Sequence, residues 1–584
     1  MANLFLDFSV LLVVLVVVAV VLHGWGTVVW GLLGIRVPPD VSTKTVWLGF
    51  CAVIAFLELA HLVVQIDWRL SLLTLLVGLL GNWSAVRDRK LKSSALAWLN
   101  ALRTHPILTG YGIVIFCFWC LRAMETPTMY DSGLYHFSSI RWLNESPIVP
   151  GLGNLHWRLA LNQSYFGFHA LLNIAPYWNK GYATGGLFLL ILTAFTLIES
   201  TARSANSVRY VYIGLILFYL CQIAGLLANP TPDLAVSVLE IVIFLYTVEL
   251  LTQQTNDREH DHKTLVLVLW LCFALVSIKL SGIAFAGTSV VIVFFYYIYN
   301  RSKSTINLLP VTLLLVTFSV VHIGRSVLLS GAPFFPSSIA GFWTLPWAVP
   351  VSFAQVEAEL IYLWARSPGT ATLPAEAAAP IEWIAEWFKR LPLTWLITFS
   401  LATALTIINT ACLAARAFRT HAQSMFLLYI PILSSFIFWF CTAPDIRFLG
   451  AVNVLYLALA TGICMQNLKT YLAAKGINVF AQATARFRPI GFGVAGLIFA
   501  VVMLRWVSVQ PISFTGWPLV PSPDTRIEQT ASDLQVHVPT VGAECWDAPL
   551  PCSSVVYGSL HKEPWFVPFG ASRLVKHRYI FSIK

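Results

Sequence analysis

Apolar runs of about 20 residues, each bounded by short polar turns, recur along almost the whole chain. A run of that length matches the hydrocarbon thickness of a bilayer when helical. Candidate spans fall at roughly 8–33, 45–65, 69–86, 107–124, 182–200, 208–227, 234–252, 264–279, 283–300, 307–328, 393–415, 424–441, 448–465 and 489–509. The pattern predicts an all-α polytopic membrane protein with about fourteen transmembrane helices. The first run is too long for a signal-peptide core and lacks a basic start, so a retained helix is expected. No repeat of about 20–50 residues is visible.

Polar segments break the pattern in three places. Two long loops span about 125–181 and 329–392, and a tail runs from about 510 to 584. Stretches around 351–366 and 380–390 are amphipathic and are expected to lie along the membrane interface, with a low-complexity hinge from Ala371 to Pro380 between them. The tail has Pro-rich turns and short alternating runs such as Asp533 to Val538, the signature of a small mixed or β-rich subdomain. The expected division is therefore a transmembrane domain over 1–509 and a C-terminal subdomain over 510–584.

Composition agrees: 58% hydrophobic and 11% charged residues, with a mean hydropathy of +0.74. The net charge of +10 does not point to nucleic acid, because it sits in short segments between apolar runs. Arg87, Arg89, Lys90 and Lys92 follow the third span. Further basic loops hold Arg203 and Arg209, Arg258 and Lys263, Arg301 and Lys303, Arg416 and Arg419, and Lys469 through Arg488. With fourteen spans all of them share one side, which is then cytoplasmic. Both termini, both long loops and the tail are expected on the other side. The 22 Trp suit bilayer interfaces. Most of the ten Cys lie inside apolar runs as plain core thiols.

The unusual polar groups map to the outer face. Tyr130-Asp131-Ser132-Gly133-Leu134-Tyr135-His136 starts the first long loop. Asp233 lies in the hairpin Asn229 to Asp233, Lys279 in the turn Ser277 to Gly282, Arg325 near a helix end, and Asp445 and Arg447 in the hairpin Ala443 to Phe448. Each has a bland reading: a snorkelling cation, a helix N-cap at Asp233, an Asp445–Arg447 ion pair. His136, His156 and His169 match no compact metal-ligand spacing and read as hydrogen-bonding groups. The convergence is what favours chemistry. Cations at a lipid–water boundary suit a phosphate headgroup, and a carboxylate beside them suits activation of a hydroxyl.

That arrangement resembles the GT-C superfamily of membrane glycosyltransferases, and more closely a group of poorly characterised bacterial GT-C-like proteins. The matching pieces are Tyr130 to His136, Ile148 to His156, Ser330 to Ser337 and Glu544 to Cys552. The resemblance implies transfer of a sugar from a polyprenyl-phosphate donor to a hydroxyl of a glycan, lipid or protein, at the outer face of a bacterial inner membrane. Asp131 would be the catalytic base. Lys279, Arg447 and Arg325 would contact the donor phosphate, with Tyr130, Tyr135, His136, His156 and Asp233 around the substrate. The chain departs from better-known members in having about three helices before the one that leads into the catalytic loop. It also has Asp-Ser where others have paired acids or Asp-x-Asp, so no metal or other cofactor is expected. A lipid-linked glycan flippase and a polysaccharide polymerase or O-antigen ligase are the alternatives. Cys545 and Cys552, with six residues including two prolines between them on the outer side, are expected to form a disulfide.

Overall fold

The computed structural model describes residues 2–35, 42–83, 106–202, 209–252, 258–300, 308–337, 339, 341–368, 382–414, 422–475, 517–530, 532–556, 559–564 and 579–583. The expected span 489–509, the Ala371–Pro380 hinge and most of the basic loop residues, including Arg87, Arg203, Arg301 and Arg416, lie outside them.

The described chain is mainly helical, and eight of its helices are long and apolar enough to cross a membrane: Leu4–Leu32, Thr43–His61, Gly181–Ser200, Pro232–Thr252, Glu259–Ile278, Leu280–Tyr299, Leu309–Ser330 and Leu393–Leu413. Four shorter apolar helices are Trp68–Gly81, Thr109–Ala123, Ile213–Leu226 and Phe426–Thr442, and Val452–Ala474 is a further long helix. These make the chain a multi-pass membrane protein. Local chemistry sets several helix boundaries. Ser42 accepts the Lys44 N–H at 3.2 Å, and Asp67 accepts the Arg69 N–H at 2.9 Å, each relieving an unpaired donor at a helix start. Pro232 opens its helix and Asp233 lies in the first turn, where a negative charge meets the positive end of the helix dipole.

The helices are not equivalent. Pro232–Thr252 is buried along 94% of its apolar window and Leu393–Leu413 along only 11%, so the first is central and the second peripheral. The first three helices pack backbone to backbone: a Cβ added at Gly24 would lie 1.7 Å from the Gly78 carbonyl oxygen. Small residues at such crossings are the usual route to close contact in lipid, where water exclusion does not drive association.

Polar structure gathers at one end of the bundle. The two amphipathic stretches form the helices Val351–Arg366 and Glu382–Arg390. The second packs Trp387 on Trp439 and Phe440 and donates its indole N–H to the Pro444 carbonyl at 2.7 Å. The tail holds two antiparallel pairs, Thr525–Gln529 with Gln535–Pro539 and Leu560–Pro564 with Tyr579–Ile583. Cys545 and Cys552 are joined by a disulfide.

That tail is docked on the first long loop. The Trp546 N–H donates to the Gly133 carbonyl at 2.9 Å and the Phe581 N–H to the Pro150 carbonyl at 3.0 Å. Ser553 Oγ donates to the Leu155 carbonyl at 3.1 Å, and Asn154 Nδ2 to the Phe581 carbonyl at 3.1 Å. Arg141 donates to the carbonyls of Asp547 and Ala548 at 2.9 and 2.8 Å. Gly133 is required where it stands, since a Cβ there would lie 2.4 Å from the Trp546 ring.

Candidate functional site

Asp131 sits in a helical turn just past Pro106–Ala123. Asn229, from the hairpin ahead of Pro232–Thr252, fixes the approach by accepting the N–H groups of Thr128 and Met129 at 3.2 and 3.1 Å. Asp131 then leads into a π-helical turn, Ser132–His136, whose residues are all buried. This start of the first long loop is packed between the helix bundle and the tail.

Both carboxylate oxygens of Asp131 are taken. Oδ1 lies 2.8 Å from Arg158 Nη1 and Oδ2 lies 3.1 Å from Arg447 Nη1. Arg158 comes from the short turn Trp157–Ala160 in the same loop. Its Nε lies 3.2 Å from Oε1 of Glu357 on Val351–Arg366. Glu357 is 1% exposed. Arg447 stands on the turn Ile446–Leu449, with Asp445 Oδ2 3.3 Å from its Nε. Gly450 closes that turn at φ 59° against the Glu240 carboxylate, which accepts the Ala451 N–H at 2.7 Å.

Beside this chain of charges, Lys279 pairs with Asp233. Phe448 links the two groups: Lys279 Nζ lies 4.4 Å and the Arg447 guanidinium 5.3 Å from its ring centroid, within cation–π range. Asp131, Asp233, Lys279 and Arg447 thus assemble at one end of the bundle from four distant stretches of chain.

The remaining candidates are placed as follows. Tyr130 is 54% exposed. Tyr135 is buried with the Arg158 guanidinium 5.8 Å from its ring. His136 is buried against Tyr135 and Phe166, with Nδ1 3.1 Å from Ser132 Oγ. His156 is buried and accepts the Arg158 N–H at 3.2 Å, capping the Trp157 turn. Arg325 is not brought to Asp131. Its guanidinium donates to the Glu58 carbonyl at 3.2 Å and lies 3.0 Å from His61 Nδ1, 3.4 Å from Asn162 Oδ1 and 3.8 Å from the Glu58 carboxylate. A helix-end position does not reveal which face a side chain takes, and a buried acid on Thr43–His61 claims this one.

Burial alone would raise the Asp131 carboxyl, but Arg158, His136 and Arg447 together outweigh it and hold the group below its ordinary value. Asp131 is therefore ionised at neutral pH. Burial wins at Glu357, which is held above its ordinary value against the pull of Arg158. Burial likewise pushes His136 down to about 3 and His156 to about 4, so both are neutral near pH 7. The arrangement offers an ionised carboxylate between two guanidinium forks, with a second acid behind one of them. Among the described residues no group of three or more His, Cys, Asp or Glu is placed to hold a metal ion.

Arg158 and Glu357 were not singled out from the sequence. The signal for Glu357 was present: on an amphipathic helix it falls three residues after Ala354, on the face that is buried.

Residues 8–456 match the model of a family described as "Domain of unknown function (DUF8201)". The chain belongs to DUF8201. No curated protein and no solved structure matches it significantly. The DUF8201 match takes in Asp131, Arg158, Asp233, Lys279, Glu357 and Arg447. The disulfide loop that rests on Gly133 lies beyond it.

Proposed function

We propose that this DUF8201 protein is a GT-C-like membrane glycosyltransferase with about fourteen spans. It moves a sugar from a polyprenyl-phosphate donor to an acceptor hydroxyl at the extracytoplasmic face of a bacterial plasma membrane. One observation carries the reading: an ionised carboxylate, Asp131, set between cations at the end of an apolar helix bundle, where a lipid headgroup can lie beside it. The basic loops at the opposite helix ends support the orientation.

In the proposed step the acceptor oxygen bonds to the anomeric carbon as Asp131 takes its proton. The bond from that carbon to the phosphate oxygen breaks, and the electron pair leaves with the polyprenyl phosphate. Arg447 and Lys279 stabilise the added negative charge. The reading requires no metal or cofactor. Its test is Asp131→Asn in vesicles supplied with polyprenyl-phosphate sugars and a membrane extract as acceptor source. Release of polyprenyl phosphate should fall by about 10²–10⁴-fold, with insertion and thermal stability retained. Undiminished release would remove Asp131 from the reaction.

A further inference from the structure

The two guanidiniums grip Asp131 differently. Arg158 is anchored from behind: its Nε is held by Glu357, a nearly fully buried acid on a separate helix, and its side chain is 24% exposed. Arg447 stands on a short turn, with its side chain 38% exposed and Asp445 from the same turn as its companion. Between them each Asp131 oxygen carries a guanidinium contact, which stabilises the anion and makes it a poorer base toward an acceptor hydroxyl. Arg447 Nη1 meets a carboxylate oxygen in the way that it would meet a phosphate oxygen, since both anions suit the same planar fork. Lys279 lies near it, both cations within cation–π range of the Phe448 ring.

We propose that Asp131 is the resting occupant of a phosphate site built from Arg447 and Lys279. An entering phosphate takes Arg447 from Asp131 and thereby frees Oδ2 to act as base. Arg158, fixed by Glu357, keeps hold of Oδ1 and aims the carboxylate throughout. Glu357 is thus a positioning residue. The exchange couples donor binding to creation of the base, so the base is unmasked only when a donor is present. It rests on the glycosyltransferase reading in taking the phosphate to be the donor's.

The experiment is equilibrium binding of two probes, a polyprenyl monophosphate in nanodiscs and inorganic phosphate in solution, to the full-length protein. Removing the resting anion without changing its shape, Asp131→Asn, should tighten binding by about tenfold or more. Asp445→Asn removes an equal charge beside Arg447, but from a group that keeps its place when phosphate enters, and should change affinity by less than about threefold. Arg447→Lys keeps the charge without the fork and should weaken binding by about tenfold. Glu357→Gln should leave donor KM within about twofold and lower kcat by more than about tenfold. A gain in Asp131→Asn for the lipid probe alone supports a headgroup site, and a gain for both probes supports a site that reads bare phosphate. An equal gain in Asp445→Asn shows a general field effect and overturns the exchange, as does no gain in Asp131→Asn. In either case a wild type that still binds the lipid probe leaves the glycosyltransferase reading standing. Failure of the wild type to bind either probe overturns both.

Discussion

Two charge clusters at the same end of the bundle use nearly the same residue types to opposite effect. Around Glu58, the His322 Nδ1 and the Arg325 guanidinium meet one carboxylate, and His61 and Asn162 take up more of the guanidinium. Glu58, His61 and Arg325 are all at most 6% exposed. Around Asp131, the carboxylate and its two arginines stay 23–38% exposed. The first cluster ties Thr43–His61 to Leu309–Ser330 and is closed to solvent. The second is open to solvent, and under the proposed exchange it would accept a phosphate. Buried charges at membrane depth are costly unless paired, so burial of the whole cluster reads as a strut and accessibility as a site.

The comparison is most exposed to Arg325→Ala. It leaves the buried Glu58 carboxylate with His322 alone and frees the Glu58 carbonyl that the guanidinium had satisfied, so a loss of about 3–5 kcal/mol is expected, read as a fall in thermal midpoint in detergent. Joint replacement Glu58→Gln with Arg325→Met should recover much of it. Acid comes next. Native His136 and His156 stay neutral down to about pH 3 and 4, whereas the unfolded imidazoles bind protons below about 6.5. The unfolded state therefore binds more protons in that window, and stability falls as pH drops from about 6.5 to 4. The slope is about 1.4 kcal/mol per pH unit for each histidine. Thermal scans of His136→Gln should show a shallower acid slope, and an unchanged slope would contradict its burial. Opening the Cys545–Cys552 loop with paired Ser substitutions should cost roughly 2–3 kcal/mol from loop entropy. Hydrogen exchange should localise the loss to the tail and the Ser132–His136 turn. Gly133→Ala should cost about 1–3 kcal/mol through overpacking on Trp546 and should raise exchange at the Trp546 amide. The smallest effect is expected for Arg447→Ala, within about 1 kcal/mol of wild type in the same detergent assay. A loss there equal to that of Arg325→Ala would erase the distinction between strut and site.

Much of this was legible as pattern. Asp131, Asp233, Lys279 and Arg447 each lie at a helix end, and alternation of spans assigns helix ends to faces, so their sharing a face followed from counting. The amphipathic helices came from period alone, and the disulfide from short spacing on the outer side. Arg325 shares the same kind of position, yet depth and rotation about the helix axis decide partners, and neither is written in a single span. Arg158 was hidden because a lone arginine between Trp157 and Leu159 looks like an interfacial anchor. Only the folded loop shows that it bridges two carboxylates.

The docking of Trp546 on Gly133 and of Phe581 on Pro150 carries a consequence for how the protein is made. Ribosomes deliver the bundle first and the tail last. Until the tail has settled on the first loop, the Asp131 turn lacks one of its walls. A bundle formed ahead of its tail would therefore carry an incomplete Asp131 turn.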